Sequence, residues 1–316
     1  MTEQFLSERT ALSWAAISGK WEFDGSTARY DEGAMSGLVA GQPVPLGIAL
    51  TNQTLQRGTA RIGITFDSLE NDDRQGGGLV FGYRSPNERY VMAQLASSGA
   101  AYSFGEFLPG FGWQALITAG EKANLRPKRK YLMEVSIRGQ RIRLDVDGVR
   151  VFEQVLRAPL HGKQVAVIAA GASAVHFTGL EVESEKPRVF VAMQFGEPFD
   201  TIYTQVIKPS VRGLDLEVVR IDEIAGPGII FDDIQRNISE ANIIIAEITA
   251  PNQNVFYELG YAHALNKPTI LLAKRGRELP FDIRSYRVIF YDDTIGGKPA
   301  VEDSLEKHLR AVVQDL

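Results

Sequence analysis

The chain has 316 residues, of which 44% are hydrophobic and 23% are charged, as is typical of an ordinary globular protein. Its formal net charge of -5 gives no electrostatic reason to expect a nucleic-acid partner. The absence of cysteine excludes a disulfide framework, a thiolate nucleophile and a cysteine-ligated metal.

The N-terminal sequence and the distribution of apolar residues predict where the protein resides. The first residues, "MTEQFLSERTALSW", lack the long apolar core behind a basic segment that a secretory signal has. No apolar run approaches the roughly 20 residues that a membrane span needs. We therefore expect a cytoplasmic protein with no membrane partner, and the length favours two domains.

The first half of the chain, from Trp21 to about Glu183, has the pattern of β structure. Short segments with period-2 alternation or many β-branched residues lie at 60–68, 76–85, 89–97, 131–139 and 141–154. They are separated by turn signals such as Asn71-Asp72-Asp73, Ser85-Pro86-Asn87, Arg138-Gly139-Gln140 and Asp147-Gly148. Such spacing without helical patterns predicts an antiparallel β-sandwich, which we assign to residues 1–185.

Two stretches of this half, "YLMEVSIRGQRIRLDVDGVRVFE" (131–153) and "GGGLVFGYRSPNERYVMAQL" (76–95), resemble the strands of concanavalin-like or laminin-G-like jelly rolls. The resemblance implies a jelly-roll fold that binds a glycan or a protein, or that serves only as a structural module. Trp113, within "FLPGFGWQ", and Tyr102 are the candidate glycan-stacking residues. The alternative is that both rings pack on their own sandwich.

The pattern changes after the charged hinge "ESEKPR" (183–188), where strands begin to alternate with helices. Predicted strands lie at 188–195, 214–222, 242–249, 268–273 and 287–292, and predicted helices at 200–211, 229–241, from 254 onward and 300–316. Alternation of this kind predicts right-handed crossovers and a parallel sheet covered on both faces. We therefore expect residues 186–316 to form a flavodoxin-like α/β domain with strand order 2-1-3-4-5.

In such sheets ligands bind beyond the carboxyl ends of the strands, near the point where the strand order reverses. The residues that follow the predicted strands there are Met193 to Gly196, Asp222 and Glu223, the stretch "AEITAPNQN" (246–254), and Lys274 with Arg275. The "GPG" at 226–228 predicts a phosphate cradle or, more simply, a tight turn. The four histidines show no metal-ligand spacing, and no nucleophile elbow is present, so we expect no metal site.

Glu258 stands out in "NVFYELGYAHALNKPTILL" (254–272). On a helix it falls on the arc formed by Val255, Leu259, Ala262 and Leu265, which should face the rest of the fold. A carboxylate there is costly unless it is partnered, protonated or lining a cleft. One explanation is a glutamate that reaches water or pairs with an arginine, and another is a carboxylate that faces C1 of a sugar to assist glycosidic cleavage.

Three stretches, 189–211, 220–249 and 251–272, resemble the TIR-like and nucleoside 2-deoxyribosyltransferase-like superfamily, and "NVFYELGYA" is its most distinctive signature. The resemblance implies that Glu258 is the catalytic carboxylate and that Gln194 and Phe195 line the nucleotide pocket. Many members end the third strand in Asp-Leu-Thr, where this chain has Glu247-Ile248-Thr249. The complete set of predicted substrate-binding residues is Gln194, Phe195, Asp222, Glu247, Thr249, Asn252, Asn254 and Tyr257.

The resemblance implies three possible functions. The first is an NAD glycohydrolase, with NAD as substrate and no cofactor, that acts as an effector in bacterial antiphage defence with the sandwich as its sensor. The second is a deoxyribosyltransferase, and the third is a non-catalytic nucleotide-binding or adaptor module. Because catalytic TIR proteins commonly assemble to complete a site, we also expect a homo-oligomer.

Overall fold

The computed structural model describes residues 11–31, 46–69, 75–223, 230–283 and 286–315. Two antiparallel sheets come first along the chain, and a parallel sheet flanked by helices follows. The predicted combination of an antiparallel sandwich with a parallel α/β unit is therefore confirmed. The predicted division between residues 185 and 186 falls in the connection between the last antiparallel and the first parallel strand.

The antiparallel part consists of two seven-stranded sheets. Its strands among the described residues are β1 (Trp14–Ser18), β2 (Trp21–Asp24), β3 (Thr27–Tyr30), β4 (Leu46–Thr54), β5 (Gly58–Phe66), β6 (Gly76–Tyr83), β7 (Tyr90–Leu95), β8 (Ala100–Leu108), β9 (Gly112–Glu121), β10 (Tyr131–Arg138), β11 (Arg141–Val146), β12 (Val149–Val155), β13 (Gln164–Ala170) and β14 (Val175–Ser184). The sheet orders are β1-β4-β13-β6-β7-β8-β9 and β12-β11-β10-β5-β14-β3-β2.

Apolar residues that point inward alternate along the strands with polar residues that point outward, and this pattern gives the sandwich its core. In β10, Met133, Val135 and Ile137 point into the apolar core between the sheets. The intervening Glu134 lies on the outer face, opposite Arg61 of β5, and accepts a hydrogen bond from it at 2.5 Å. The core therefore excludes charge, while the outer face of this sheet is covered by ion pairs.

The parallel part forms one five-stranded sheet with helices. Its strands are β15 (Arg188–Ala192), β16 (Glu217–Arg220), β17 (Ile243–Glu247), β18 (Thr269–Lys274) and β19 (Val288–Tyr291). Its helices are α1 (Phe199–Ile202), α2 (Lys208–Gly213), α3 (Ile230–Glu240), α4 (Gln253–Ala264) and α5 (Lys298–Asp315). The sheet order β16-β15-β17-β18-β19 confirms the predicted order 2-1-3-4-5.

The two faces of this sheet bury different residues of each strand. Ile243 and Ile245 of β17 belong to the apolar cluster beneath α2 and α5. Ile244 and Ala246 belong to the cluster beneath α3 and α4. Successive strand residues alternate between faces, so the helices cover both faces of the sheet as the sequence predicts.

The helical segment after β15 extends further than predicted. The sequence predicts a helix at 200–211, reaching Pro209, whereas the structure continues to Gly213. A π-helical turn, Tyr203–Ile207, joins α1 to α2 and ends two residues before this proline. Proline lacks an N–H donor, and the wider turn accommodates its ring without ending the helix.

In the part of the chain that the structure describes, every helix is too short or too polar to cross a membrane. The "GPG" at 226–228, and with it Gly226 and Gly228, lies outside the described residues.

Candidate functional site

The strand order reverses between β15 and β17, which lie side by side at the centre of the parallel sheet. The carboxyl ends of these two strands therefore flank the position where doubly wound sheets bind ligands. Gln194, two residues beyond β15, is half-buried, and the Phe195 ring is 50% exposed. This loop thus presents one amide and one aromatic ring at the switch point.

Arg220, the last residue of β16, holds the loop that carries Phe195. Its guanidinium carbon lies 5.4 Å from the centroid of Phe195 and 4.3 Å from that of Tyr203. The same group donates to Asp200 at 2.7 Å and, through two nitrogens, to Asp222 at 2.7 and 2.6 Å. The predicted site residue Asp222 is therefore bound by Arg220.

Arg220 is only 6% exposed, and it was not among the predicted site residues. Its one sequence signal is the spacing in "VRID", which places an arginine two residues before a carboxylate at the end of a strand. Residues two apart on an extended chain share a side, so the pair could have been recognised.

Asn252 begins α4. Its side-chain oxygen accepts hydrogen bonds from the backbone N–H groups of Asn254 at 2.9 Å and Val255 at 3.5 Å. This is the N-cap arrangement that satisfies donors left free at a helix start. The side chain of Asn254 itself is exposed. Asn252 thus fixes the start of the helix that carries Glu258.

We expect Asn252→Ala to lower the free energy of unfolding by about 1 kcal/mol, because the first turn of α4 loses its side-chain acceptor. Urea denaturation followed by circular dichroism measures this difference. Asn254→Ala, a change of the same residue type two positions away, should leave stability within about 0.5 kcal/mol of the wild type. Equal losses in the two variants would contradict the capping role.

Glu258 lies on the buried face of α4 together with Val255, Leu259 and Ala262. It is only 6% exposed, and it has no hydrogen-bond or ion-pair partner among the described residues. Burial raises the pKa of its carboxyl group to about 7. The predicted burial is thus confirmed, and no described arginine pairs with the carboxyl group.

Tyr257 lies on the exposed side of the same helix. Its ring is 43% exposed and 5.3 Å from the ring of Phe231, which is 47% exposed. Its hydroxyl accepts a hydrogen bond from Gln235 at 3.3 Å. The structure therefore joins Tyr257 to α3, and it adds Phe231 as an exposed aromatic residue that was not among the predicted site residues.

Glu247, at the end of β17, is part of a separate buried network. One oxygen accepts hydrogen bonds from the Tyr291 hydroxyl at 3.0 Å, from the Thr249 backbone N–H at 3.2 Å and from the Thr249 hydroxyl. The Thr249 oxygen accepts in turn from the Lys274 N–H at 2.7 Å. Burial raises the pKa of Glu247, which is 1% exposed.

This network lies on the other face of the sheet from α4. Side chains of alternate strand residues point to the same face of the sheet, so Glu247 lies on the same face as Ile243 and Ile245. Its hydrogen-bond partner Tyr291 belongs to the same apolar cluster as these two isoleucines. The structure thus separates Glu247 and Thr249 from Glu258, although the sequence predicts all three at the carboxyl ends of the strands. Their hydrogen bonds join the ends of three neighbouring strands, β17, β18 and β19.

A cleft of about 420 Å³ opens beside this network, between α1 and α5. Its lining includes Tyr291, Asp292, Thr201 and Lys298. These residues come from the ends of β19 and from the helices of the same face, so the cleft is distinct from the surroundings of α4.

The structure describes no group of three or more His, Asp or Glu side chains that could hold a metal ion. His263, on α4 one turn beyond Glu258, is half-buried and its ring stacks on Tyr286 at 4.6 Å. Burial lowers its pKa, so its neutral form is favoured. His263 is thus a packed helix residue.

The two candidate glycan-binding aromatics pack on their own sandwich. Trp113 and Tyr102 are both half-buried against the apolar clusters of the sandwich. The Trp113 ring lies so close to Gly105 that a Cβ atom there would be 2.3 Å from it. Packing on the sandwich, the alternative named above, therefore accounts for both rings.

The sequence matches no family model. It is 33% identical over 84 residues to 5-hydroxymethyl-dUMP N-hydrolase from Rattus norvegicus, a match that covers 26% of this chain and 52% of that protein. The chain thus spans about half the length of this curated relative.

Similar solved structures include the carbohydrate-binding module CBM66 from Bacillus subtilis, with TM-score 0.44 and 13% identity over 54% of this chain and 95% of that chain. They also include a prokaryotic beta-1,3-1,4-glucanase (lichenase) derived from a mouse hindgut metagenome, with TM-score 0.39 and 12% identity over 54% of this chain and 92% of that chain.

Proposed function

We propose that this chain hydrolyses the N-glycosidic bond of a nucleotide and that Glu258 is its catalytic carboxylate. The observation that carries the proposal is a buried, unpaired carboxyl group on the helix that follows the central strand β17. Such a group is costly to the fold, and carboxyl groups whose pKa is raised by burial are concentrated at functional sites. The partial sequence similarity to a nucleotide N-hydrolase supports this reaction class.

In the proposed reaction the bond between C1 of the ribose and the base nitrogen breaks, and the base leaves with the electron pair. Positive charge develops on the sugar, as in an oxocarbenium ion, and the ionised Glu258 stabilises it or forms a covalent ester at C1. Water then adds to C1 and releases the sugar. With a pKa of about 7, about half of the Glu258 groups are ionised at neutral pH.

NAD is the substrate that we favour. Its nicotinamide ring is a cation while attached to the ribose and leaves as a neutral base, so departure requires no proton donor. A single carboxylate therefore suffices. The other buried glutamate described near the carboxyl ends of the strands, Glu247, lies on the opposite face of the sheet. Gln194 and the exposed Phe195 would contact the nucleotide, and Asn254 or Tyr257 would contact its ribose or base.

A nucleoside 5'-monophosphate is the second candidate substrate, because the curated relative acts on 5-hydroxymethyl-dUMP. Transfer of a deoxyribosyl group to another base would use the same carboxylate with a base in place of water. In each case the β-sandwich would act as the sensor of a glycan or protein ligand. The TIR-like assignment, a homo-oligomeric assembly, a cytoplasmic location and a role in antiphage defence remain predictions from the sequence.

The test is to incubate the purified full chain with NAD, with 5-hydroxymethyl-dUMP, and with a deoxynucleoside plus a free base. Chromatography then detects released nicotinamide, released base or an exchanged nucleoside. Release of nicotinamide supports the favoured substrate, whereas exchange without consumption of NAD identifies a transferase. Calorimetric binding of a nucleotide without turnover of any substrate would replace the proposal with the adaptor function.

A further inference from the structure

A tight turn of the sandwich contacts the α/β domain. Gly139 and Gln140 connect β10 to β11, and Gly139 has a positive φ of 56°. A Cβ atom at Gly139 would lie 2.6 Å from the carbonyl oxygens of both Ser239 and Ala241, at the end of α3. Only glycine fits this close approach of two backbones.

Gln140 is fully buried at this contact and is bound to both domains. Its backbone N–H donates to the Ser239 carbonyl oxygen at 2.9 Å, and its side-chain amide donates to the Leu265 carbonyl oxygen at 2.8 Å. Within the sandwich the same amide donates to the carbonyl oxygen of Leu156 at 3.0 Å. One residue thus connects the sandwich to the ends of both α3 and α4.

Two buried basic side chains donate to the neighbouring carbonyl groups. Arg57, from the sandwich, donates to the Glu240 carbonyl oxygen at 2.9 Å. The Lys267 amine donates to those of Ser239 at 2.7 Å and Ala241 at 2.6 Å. Carbonyl groups at a helix end have no partner within the helix, so Arg57 fixes the C-terminal end of α3 against the sandwich, and Lys267 joins that end to the segment that follows α4.

The helices held in this way pack against each other on the face of α4 that carries Glu258. Ile234 and Ile238 of α3 pack in one apolar cluster with Val255 and Leu259 of α4, the residues on either side of Glu258 on its helix face. Gln140 reaches α4 at Leu265, two turns beyond Glu258. If α4 moved along its axis or rotated about it, the burial of the Glu258 side chain and the direction in which it points would therefore change.

We propose that Gln140 is a positioning residue through which the sandwich holds α4, and with it Glu258, in its buried place; the catalytic part of this inference rests on the proposed function. The sandwich then contributes to the site from a distance, in addition to any ligand of its own. The isolated α/β domain would lack this support.

The experiment compares Gln140→Ala with Gln154→Ala in the full chain. Gln154 is a half-buried residue of β12 whose side-chain amide bonds only to the adjacent Val155 carbonyl oxygen among the described residues. Carbon-13 NMR of glutamate-labelled protein, with the Glu258 signal assigned through Glu258→Gln, measures the pKa of Glu258. The second readout is kcat and KM for the substrate that the wild type turns over.

In Gln140→Ala we expect the pKa of Glu258 to fall by about one unit as the group becomes less buried. We also expect kcat to fall about 10- to 100-fold with KM within about twofold of the wild type. Gln154→Ala should match the wild type in both readouts. If Gln140→Ala does not fold, Gln140→Asn shortens the side chain away from Leu265 and keeps the backbone contact to Ser239.

An unchanged pKa and kcat in the Gln140 variants, or equal changes in Gln154→Ala, would overturn the inference. The two proposals fail separately. If the wild type turns over no nucleotide but the pKa of Glu258 moves only in the Gln140 variants, the proposed function fails and the positioning role stands.

Discussion

Glu258→Gln is expected to reduce turnover at least about 10³-fold, because glutamine can neither become an anion nor form an ester at C1. The amide keeps the size of the side chain, so α4 and its apolar contacts should be retained. Nucleotide binding should remain, since the substitution removes charge stabilisation in the transition state more than ground-state contacts. Initial rates of base release, with nucleotide affinity from calorimetry, measure both effects.

The same substitution is expected to stabilise the fold at neutral and alkaline pH. The native pKa of Glu258 is about 7, compared with 4.5 as the ordinary value, so the native state holds its proton where the unfolded chain has lost it. This contribution to stability is complete below pH 4.5 and is lost as pH rises through 7. Above pH 7, Glu258→Gln should be more stable than the wild type by about 3 kcal/mol.

Urea denaturation at pH 5 and pH 8 checks this pH dependence, with the exposed Glu121→Gln as control. The stabilisation should be small at pH 5 and largest at pH 8, and the control should show neither effect. A variant that is inactive and also destabilised at pH 8 would indicate a structural role for Glu258. A fully active variant would remove the catalytic assignment altogether.

Arg220→Met is expected to lower the free energy of unfolding by about 3 kcal/mol. Arg220 is 6% exposed, and its guanidinium binds two carboxylates and lies close to two aromatic rings. Methionine retains part of the apolar contact, but Asp200 and Asp222 lose their donor and repel each other. Because those carboxylates are 39% and 35% exposed, water recovers part of the cost.

Thermal and urea denaturation measure this loss, with Arg212→Met on α2 as the matched control. Arg212 is exposed and takes part in no ion pair that the structure describes, so its replacement should change stability by less than about 0.5 kcal/mol. Arg220→Met should also raise KM for the nucleotide, because the Phe195 ring loses its support. Equal stability of the two variants would show that the Arg220 network contributes little to the fold.

The α/β half was largely predictable from the sequence, because its strands are continuous apolar runs separated by helical patterns. In "NIIIAEIT" every residue of β17 is buried, as expected for a parallel strand covered on both faces. The sandwich was only partly predictable. Strands β8 and β13 contain several small residues that are buried on both faces, so they lack the alternation that marks a strand.

The position of a site residue was predictable only where it depends on the periodicity of a single helix. Helical periodicity alone places Glu258 on the buried arc, and the structure confirms that burial. The face on which Glu247 lies depends on which helices cover each side of the sheet, and strand periodicity carries no such information. Likewise, the contact between Gln140 and Leu265 joins residues 125 positions apart, beyond the reach of any local pattern.

The direction of the parallel strands places the carboxyl edge of the sheet away from the sandwich. Only three residues separate the end of β14 from the start of β15. The sandwich contacts α3 and α4 at their C-terminal ends, which lie at the amino edge of the sheet. The ends of β15 and β17 open on the opposite side. A signal from a ligand on the sandwich would therefore have to travel roughly 10 Å along α4, from Leu265 to Glu258. The carboxyl edge of the sheet would meanwhile remain open to substrate.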